Sequence, residues 1–131
     1  MERDQVSVAV GVGFSTLATA EAIARGVRLA LERAGKTADA LHTSSRKRES
    51  APLKEAANAL RLKLVFHDEA DLQKRDAEVV SRSSLVMTLA GVGSLAEAAA
   101  LAGAGDNSRL IVEKFSLNGV SCAVAIASEL S

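Results

Sequence analysis

Alternation of bulky and small residues dominates the start and the end of this chain. From Val6 to Val12, Val6, Val8, Val10 and Val12 share one face at period two, and Ser7, Ala9 and Gly11 share the other. Gly13 then extends the small face. The pattern predicts a strand over Val6–Val12 that runs into a glycine turn, with a bare side where a helix or a ligand approaches the backbone. Residues 120–128 repeat it: Val120, Cys122, Val124 and Ile126 alternate with Ser121, Ala123, Ala125 and Ala127. Two strands with one small face each are expected to lie side by side at the sheet centre, under the same helix.

Between them the period changes. Ile23, Val27, Ala30, Leu31 and Ala34 form an apolar stripe at helical spacing, predicting a helix over residues 19–34. Thr19 is its expected N-cap, and Gly35 stops it. A short strand is expected over residues 38–43, followed by a polar loop, Ser44 to Ser50, that carries Arg46, Lys47 and Arg48. Pro52, the only proline, reads as the first position of a second helix, with Leu53, Ala56, Ala57 and Leu60 on its buried side. Lys63–His67 reads as a third strand. Asp68 and Asp71 mark a short helical turn, and residues 73–78 a charged connector. An apolar helix is expected over residues 83–90. Ser94-Leu-Ala-Glu97 has the form of a capping box, opening a helix that continues through Ala102 and closes at Gly103 and Gly105. Arg109–Phe115 and Val120–Ser128 are joined through Asn118-Gly119, a strong hairpin cue.

These elements predict an α/β fold: a three-layer α/β/α sandwich on a mixed, mainly parallel sheet of about five strands, ending in an antiparallel hairpin. The length of 131 residues suits a single domain over 1–131. Lys and Arg balance Asp and Glu at 16 each, so no basic excess exists to hold a nucleic-acid backbone. No apolar run approaches a membrane span. A single cysteine excludes an internal disulfide and, with no signal-like start, points to the cytoplasm.

Chemistry is sparse. The strand-to-turn glycines, Gly11 and Gly13, with Phe14, Ser15 and Thr16 after them, sit where open α/β sheets collect ligands. The orphan N–H groups of the helix that follows suit a phosphate or carboxylate. A tight turn that packs helix on sheet accounts for the same residues. The third glycine of a dinucleotide fingerprint and the Gly-Lys-Ser/Thr of a P-loop are both missing. Arg46 and Lys47 suit ligand carboxylates, or line a solvated loop. Lys114 is a carboxylate partner or a hairpin-edge charge. Glu97 is a candidate general base, although its capping-box position also explains it. His42 and His67 each end a predicted strand; if those strands are parallel, both imidazoles reach one rim. No third ligand stands at a metal-binding spacing, so no metal or other cofactor is expected. Cys122, inside an apolar strand, reads as a small hydrophobe.

Taken together, Gly11-Val-Gly-Phe-Ser-Thr-Leu-Ala-Thr-Ala-Glu-Ala-Ile, Gly91-Val-Gly-Ser-Leu-Ala-Glu-Ala-Ala-Ala-Leu, Glu113-Lys114 and Ala123-Val-Ala-Ile-Ala resemble the CobE family. Its members are stand-alone relatives of the C-terminal domain of CbiG, in cobalamin biosynthesis. Gly11, Gly13, Ser94, Glu97 and Lys114 match the family pattern, and Lys47 matches its lysine after the second strand. Phe14-Ser15 stands where the family usually has Cys-Arg. The resemblance implies a precorrin or other tetrapyrrole intermediate as ligand, with the protein acting as carrier or assistant to pathway enzymes. The implied site combines Gly11, Gly13, Phe14, Ser15, Thr16, Arg46, Lys47, Gly93, Ser94 and Lys114. Two alternatives stay open: a hydrolase opening a precorrin lactone, with Glu97 or His42 assisting water, and a nucleotide or phosphate binder at the Gly11 turn.

Overall fold

The nine-residue strand β1, Val6–Phe14, is central in a five-stranded sheet of order β3-β2-β1-β5-β4. The computed structural model describes residues 6–80 and 94–128. Along this part of the chain follow α1 (Ala20–Ala34), β2 (Ala40–Ser44), α2 (Ala51–Leu60), β3 (Lys63–His67), α3 (Glu69–Gln73), α4 (Leu95–Ala104), β4 (Arg109–Leu117) and β5 (Val120–Ser128). β1 pairs with β2, and β2 with β3, in parallel; β5 is antiparallel to both β1 and β4. Four strands therefore run one way and β5 the other, as the connections predict.

The two alternating strands are neighbours. Val10 stands beside Val124, Gly11 beside Ala123 and Val12 beside Cys122. On the bulky face, Val10, Val12, Val120, Cys122 and Val124 pack with Ile23 and Val27 of α1 and Leu53, Ala56 and Ala57 of α2. On the small face, Ala9, Ala123, Ala125 and Ala127 pack with Ala96, Ala100, Leu101 and Ala104 of α4. The alanine faces draw that helix close. A Cβ built at Gly11 would lie 1.9 Å from the Ala96 carbonyl oxygen and 2.6 Å from the Ala100 nitrogen. Only glycine permits this contact.

Local signals set most boundaries. The Thr19 hydroxyl accepts from the Ala22 N–H, and Ser50 caps α2, which starts at Ala51, so Pro52 is its second residue rather than its first. Asn118 and Gly119 take φ values of 54° and 80°, as a two-residue hairpin turn requires. Differences from expectation have identifiable causes. β1 runs on to Phe14 because Gly13 and Phe14 pair with Ser121 and Val120. β2 is shifted to Ala40–Ser44, and the Thr43 hydroxyl donates to the Val12 carbonyl at 2.7 Å. The loop after it is a tight turn over Ser45–Lys47, capped by the Ser44 hydroxyl. Gly103 lies inside α4 rather than closing it; its lack of a side chain makes room for the His42 ring, since a Cβ there would be 2.4 Å from Nδ1. The apolar helix expected over residues 83–90 lies outside the described residues.

The far end of α4 is held by Arg75, a buried side chain in the segment read as a charged connector. Its guanidinium donates to the carbonyls of Leu101 (2.9 Å) and Gly105 (2.8 Å) and to the Ser108 hydroxyl (3.0 Å). A fork onto Glu78, at 2.5 and 2.8 Å, completes it. A cation at a helix C-terminus satisfies orphan carbonyls and opposes the dipole.

Candidate functional site

At the other end of α4 the same architecture leaves a cavity. β1 and β2 finish here at Phe14 and Ser44, β5 begins, and α4 starts, so strand ends and a helix N-terminus face one space of about 420 Å³. Gly13 contributes no side chain, and a Cβ there would only touch Leu95 at 3.5 Å. The bare small face that admits α4 at Gly11 thus opens into the cavity at Gly13. The apolar part of the wall is Phe14, Leu95 and Ala96, and Ser15, Ser44, Ser94 and Ser121 line it too. Leu95 and Ala96 open α4, and the first N–H groups of a helix have no acceptor within it and carry the positive end of its dipole.

Cations stand around the opening. The Lys47 ammonium donates to the Phe14 carbonyl at 2.8 Å and lies 4.6 Å from the centre of the Phe14 ring. Burial pushes this amine below the ordinary lysine range. Its reach across to β1 ties the turn after β2 to the cavity wall. Arg46 lines the same wall and pairs with Glu69, at an exposed position. Lys114 enters from β4, half buried. On the hairpin side, the Ser15 N–H donates to the Gly119 carbonyl at 3.1 Å, fixing the segment after β1.

Of the residues singled out from sequence, the structure brings Gly13, Phe14, Ser15, Arg46, Lys47, Ser94 and Lys114 to this cavity. Gly11 is not among its walls; its bare side is filled by the α4 backbone, the tight-packing reading of that glycine. Thr16 is exposed and off the cavity. Gly93 lies outside the described residues. The helix N-terminus at the cavity is that of α4, not of α1 as the order of the chain suggested. α1 packs on the opposite face of the sheet. Ser44 and Ser121 also line the cavity and are not among those residues; the pairing of β5 with β1, which sets Ser121 opposite Gly13, is the signal that points to the second.

Glu97 does not line the cavity. It is fully buried. One carboxylate oxygen accepts from the Val80 N–H and the other from the Lys114 N–H, each at 2.8 Å. The capping-box serine behaves as expected, its hydroxyl accepting from the Glu97 N–H. His42 and His67 do meet, because β2 and β3 are parallel: His42 Nδ1 is 2.9 Å from His67 Nε2, with the rings stacked 5.1 Å apart. Burial, and secondarily His67, pushes the His42 imidazole down to about 4. Among the described residues no group of three or more His, Cys, Asp or Glu side chains is placed to hold a metal ion. The Cys122 thiol lies in the α1 face of the core, where burial pushes it up to about 12. No helix of the described residues is long and apolar enough to cross a membrane. The arrangement is suited to hold an anionic group against a partly apolar wall.

Comparison with known proteins agrees with this architecture. The family model described as cobalamin synthesis G C-terminus matches residues 8–125. The chain is similar to the crystal structure of CobE, a protein from the cobalamin (vitamin B12) biosynthetic pathway. The TM-score is 0.86 and the identity 28%, over 95% of this chain and 93% of that one. It is also similar to the cobalamin biosynthesis protein chiG from Agrobacterium tumefaciens, with a TM-score of 0.72 and 33% identity over 90% of this chain and 96% of the other. A search of curated proteins gave no match. With its sequence matched from the first strand to the last and its fold shared with two cobalamin proteins, the chain belongs to the cobalamin synthesis G C-terminus family.

Proposed function

We propose that this protein acts in cobalamin biosynthesis by binding a precorrin intermediate at the α4 cavity, as a carrier or assistant to the enzymes of the pathway. The observation that carries the reading is the convergence of Gly13, Lys47, Ser94 and Lys114 on one cavity. Precorrins are macrocycles edged with acetate and propionate carboxylates. A helix N-terminus flanked by two lysines matches those carboxylates. Phe14, Leu95 and Ala96 match the apolar ring edge. The volume of about 420 Å³ is near the lower end of small-ligand sites, about 300–1,000 Å³. Such a cavity takes an edge of a macrocycle and leaves the remainder open to a second protein, which is what a carrier needs. Glu97 and His42, the candidate bases for hydrolysis, stand outside this cavity, which favours binding.

Absorption titration of the purified protein with precorrin intermediates tests the proposal. The expected result is a saturable spectral shift at micromolar protein. Lys47→Met and Lys114→Met should each weaken it about tenfold, the scale of one charge-assisted contact. No shift with any intermediate, or full affinity in both variants, contradicts it.

A further inference from the structure

Glu97 joins the start of α4 to Val80 and to β4 without lining the cavity. It sits in the first turn of α4, whose N-cap Ser94 and first residues wall the cavity. Its carboxylate oxygens accept the N–H groups of Val80 and Lys114. The Lys114 bond falls where β4 departs from regular pairing. Val112 faces Val124 and Phe115 faces Cys122, so Glu113 and Lys114 together stand against Ala123 alone. A bulge of this kind re-aims a side chain and takes a backbone N–H out of the ladder. Here Glu97 accepts that N–H, at a residue whose side chain lines the cavity.

We propose that Glu97 is a positioning residue for ligand binding: it locks the β4 bulge to the start of α4 and so holds the Lys114 ammonium at the cavity. The carboxylate is needed rather than an amide, because it accepts from two backbone donors at once, whereas a glutamine nitrogen would confront one of them with a second donor. The inference rests on the reading of the cavity as a carboxylate-binding site.

The test compares wild type, Glu97→Gln, Lys114→Met and the double variant. Uroporphyrin, a tetrapyrrole bearing acetate and propionate arms, is the optical probe, and amide hydrogen exchange at Lys114 is read without ligand. Glu97→Gln is expected to speed exchange at the Lys114 amide by tenfold or more, and to weaken uroporphyrin binding about as much as Lys114→Met, roughly tenfold. The double variant should lose no more than either single one, since both act through the same cation. Independent, multiplying losses overturn the proposal, as does an unchanged Lys114 amide. If Glu97→Gln does not fold, Glu97→Asp, too short to reach both donors, enters the same comparison. Failure of wild type to bind uroporphyrin counts against the carboxylate-site reading, while the amide exchange still decides whether Glu97 holds the bulge.

Discussion

Gly11 and Gly13 are two residues apart on the same face of β1, and replacing each by alanine should give opposite results. At Gly11 the added methyl runs into the α4 backbone, with the Ala96 carbonyl oxygen at 1.9 Å, the Ala100 nitrogen at 2.6 Å and the Ala96 carbonyl carbon at 2.9 Å. To reach ordinary contact the Ala96 carbonyl must retreat by about 1.5 Å from its 1.9 Å position. Helix backbone does not yield as a side-chain tip does, so α4 must lift from the sheet along Ala96 and Ala100, both buried now. Overpacking in well-filled cores costs about 1–3 kcal/mol and occasionally more, and the contact here belongs at the upper end, about 3 kcal/mol. At Gly13 the nearest atoms are Leu95 side-chain carbons at 3.5–3.7 Å, and its φ is not positive. Alanine there fits, and the reduced freedom of the unfolded chain offsets any cost, so stability should stay within about 0.5 kcal/mol or rise. Urea unfolding by circular dichroism reads both, at constant m. If Gly11→Ala costs less than about 1 kcal/mol, the close approach of α4 to β1 is wrong, and so is the reasoning that sets the cavity where the helix begins.

Other outcomes follow from single contacts. Arg75→Met should destabilise by about 2–3 kcal/mol, because the C-terminal carbonyls of α4 lose a buried charged donor; a change under about 0.5 kcal/mol in urea unfolding would contradict that role. The Arg75 fork holds the Glu78 carboxyl below the usual range, so its contribution is complete above the unfolded pKa and is lost as pH falls through the lowered folded value. His42 is held neutral in the fold, at about 4 against an ordinary 6.5. The unfolded chain binds the extra proton first, so stability should be full above pH 6.5 and fall as pH drops toward 4, by up to about 3 kcal/mol. Unfolding midpoints at pH 7 and pH 4.5 measure it, and a decline undiminished in His42→Asn would assign it elsewhere.

Much of this molecule is legible from residue pattern because its layers obey simple periods. The alternation in β1 and β5 marks both which strands are adjacent and which face receives a helix, since a face of Ala and Gly leaves room for backbone and a face of Val does not. Thr19 and Ser94 declare helix starts through local hydrogen bonds, and Asn118-Gly119 a turn through its positive φ values, all of which need only neighbours in the chain. What pattern hides is long-range and polar. Arg75 looks like one charge in a solvated run, because its partners, Leu101, Gly105 and Ser108, are distant in sequence. Glu97 looks like a capping residue, and its acceptance of Lys114 depends on a bulge that spacing does not announce. The Gly-x-Gly in the last part of β1 divides its two readings between its members: Gly11 packs the helix and Gly13 opens the cavity. Which helix offers its N-terminus to the cavity depends on which face each helix covers, and chain order alone does not settle that.

The central claim is that the mouth formed by the end of β1 and the start of α4 receives the ligand. Backbone amide NMR spectra collected while a precorrin intermediate is added test it most directly. Shifts concentrated at Gly13, Lys47, Ser94 and Lys114 are the predicted result; an unchanged spectrum, or shifts confined to the far side around Arg28 and Lys36, would contradict it.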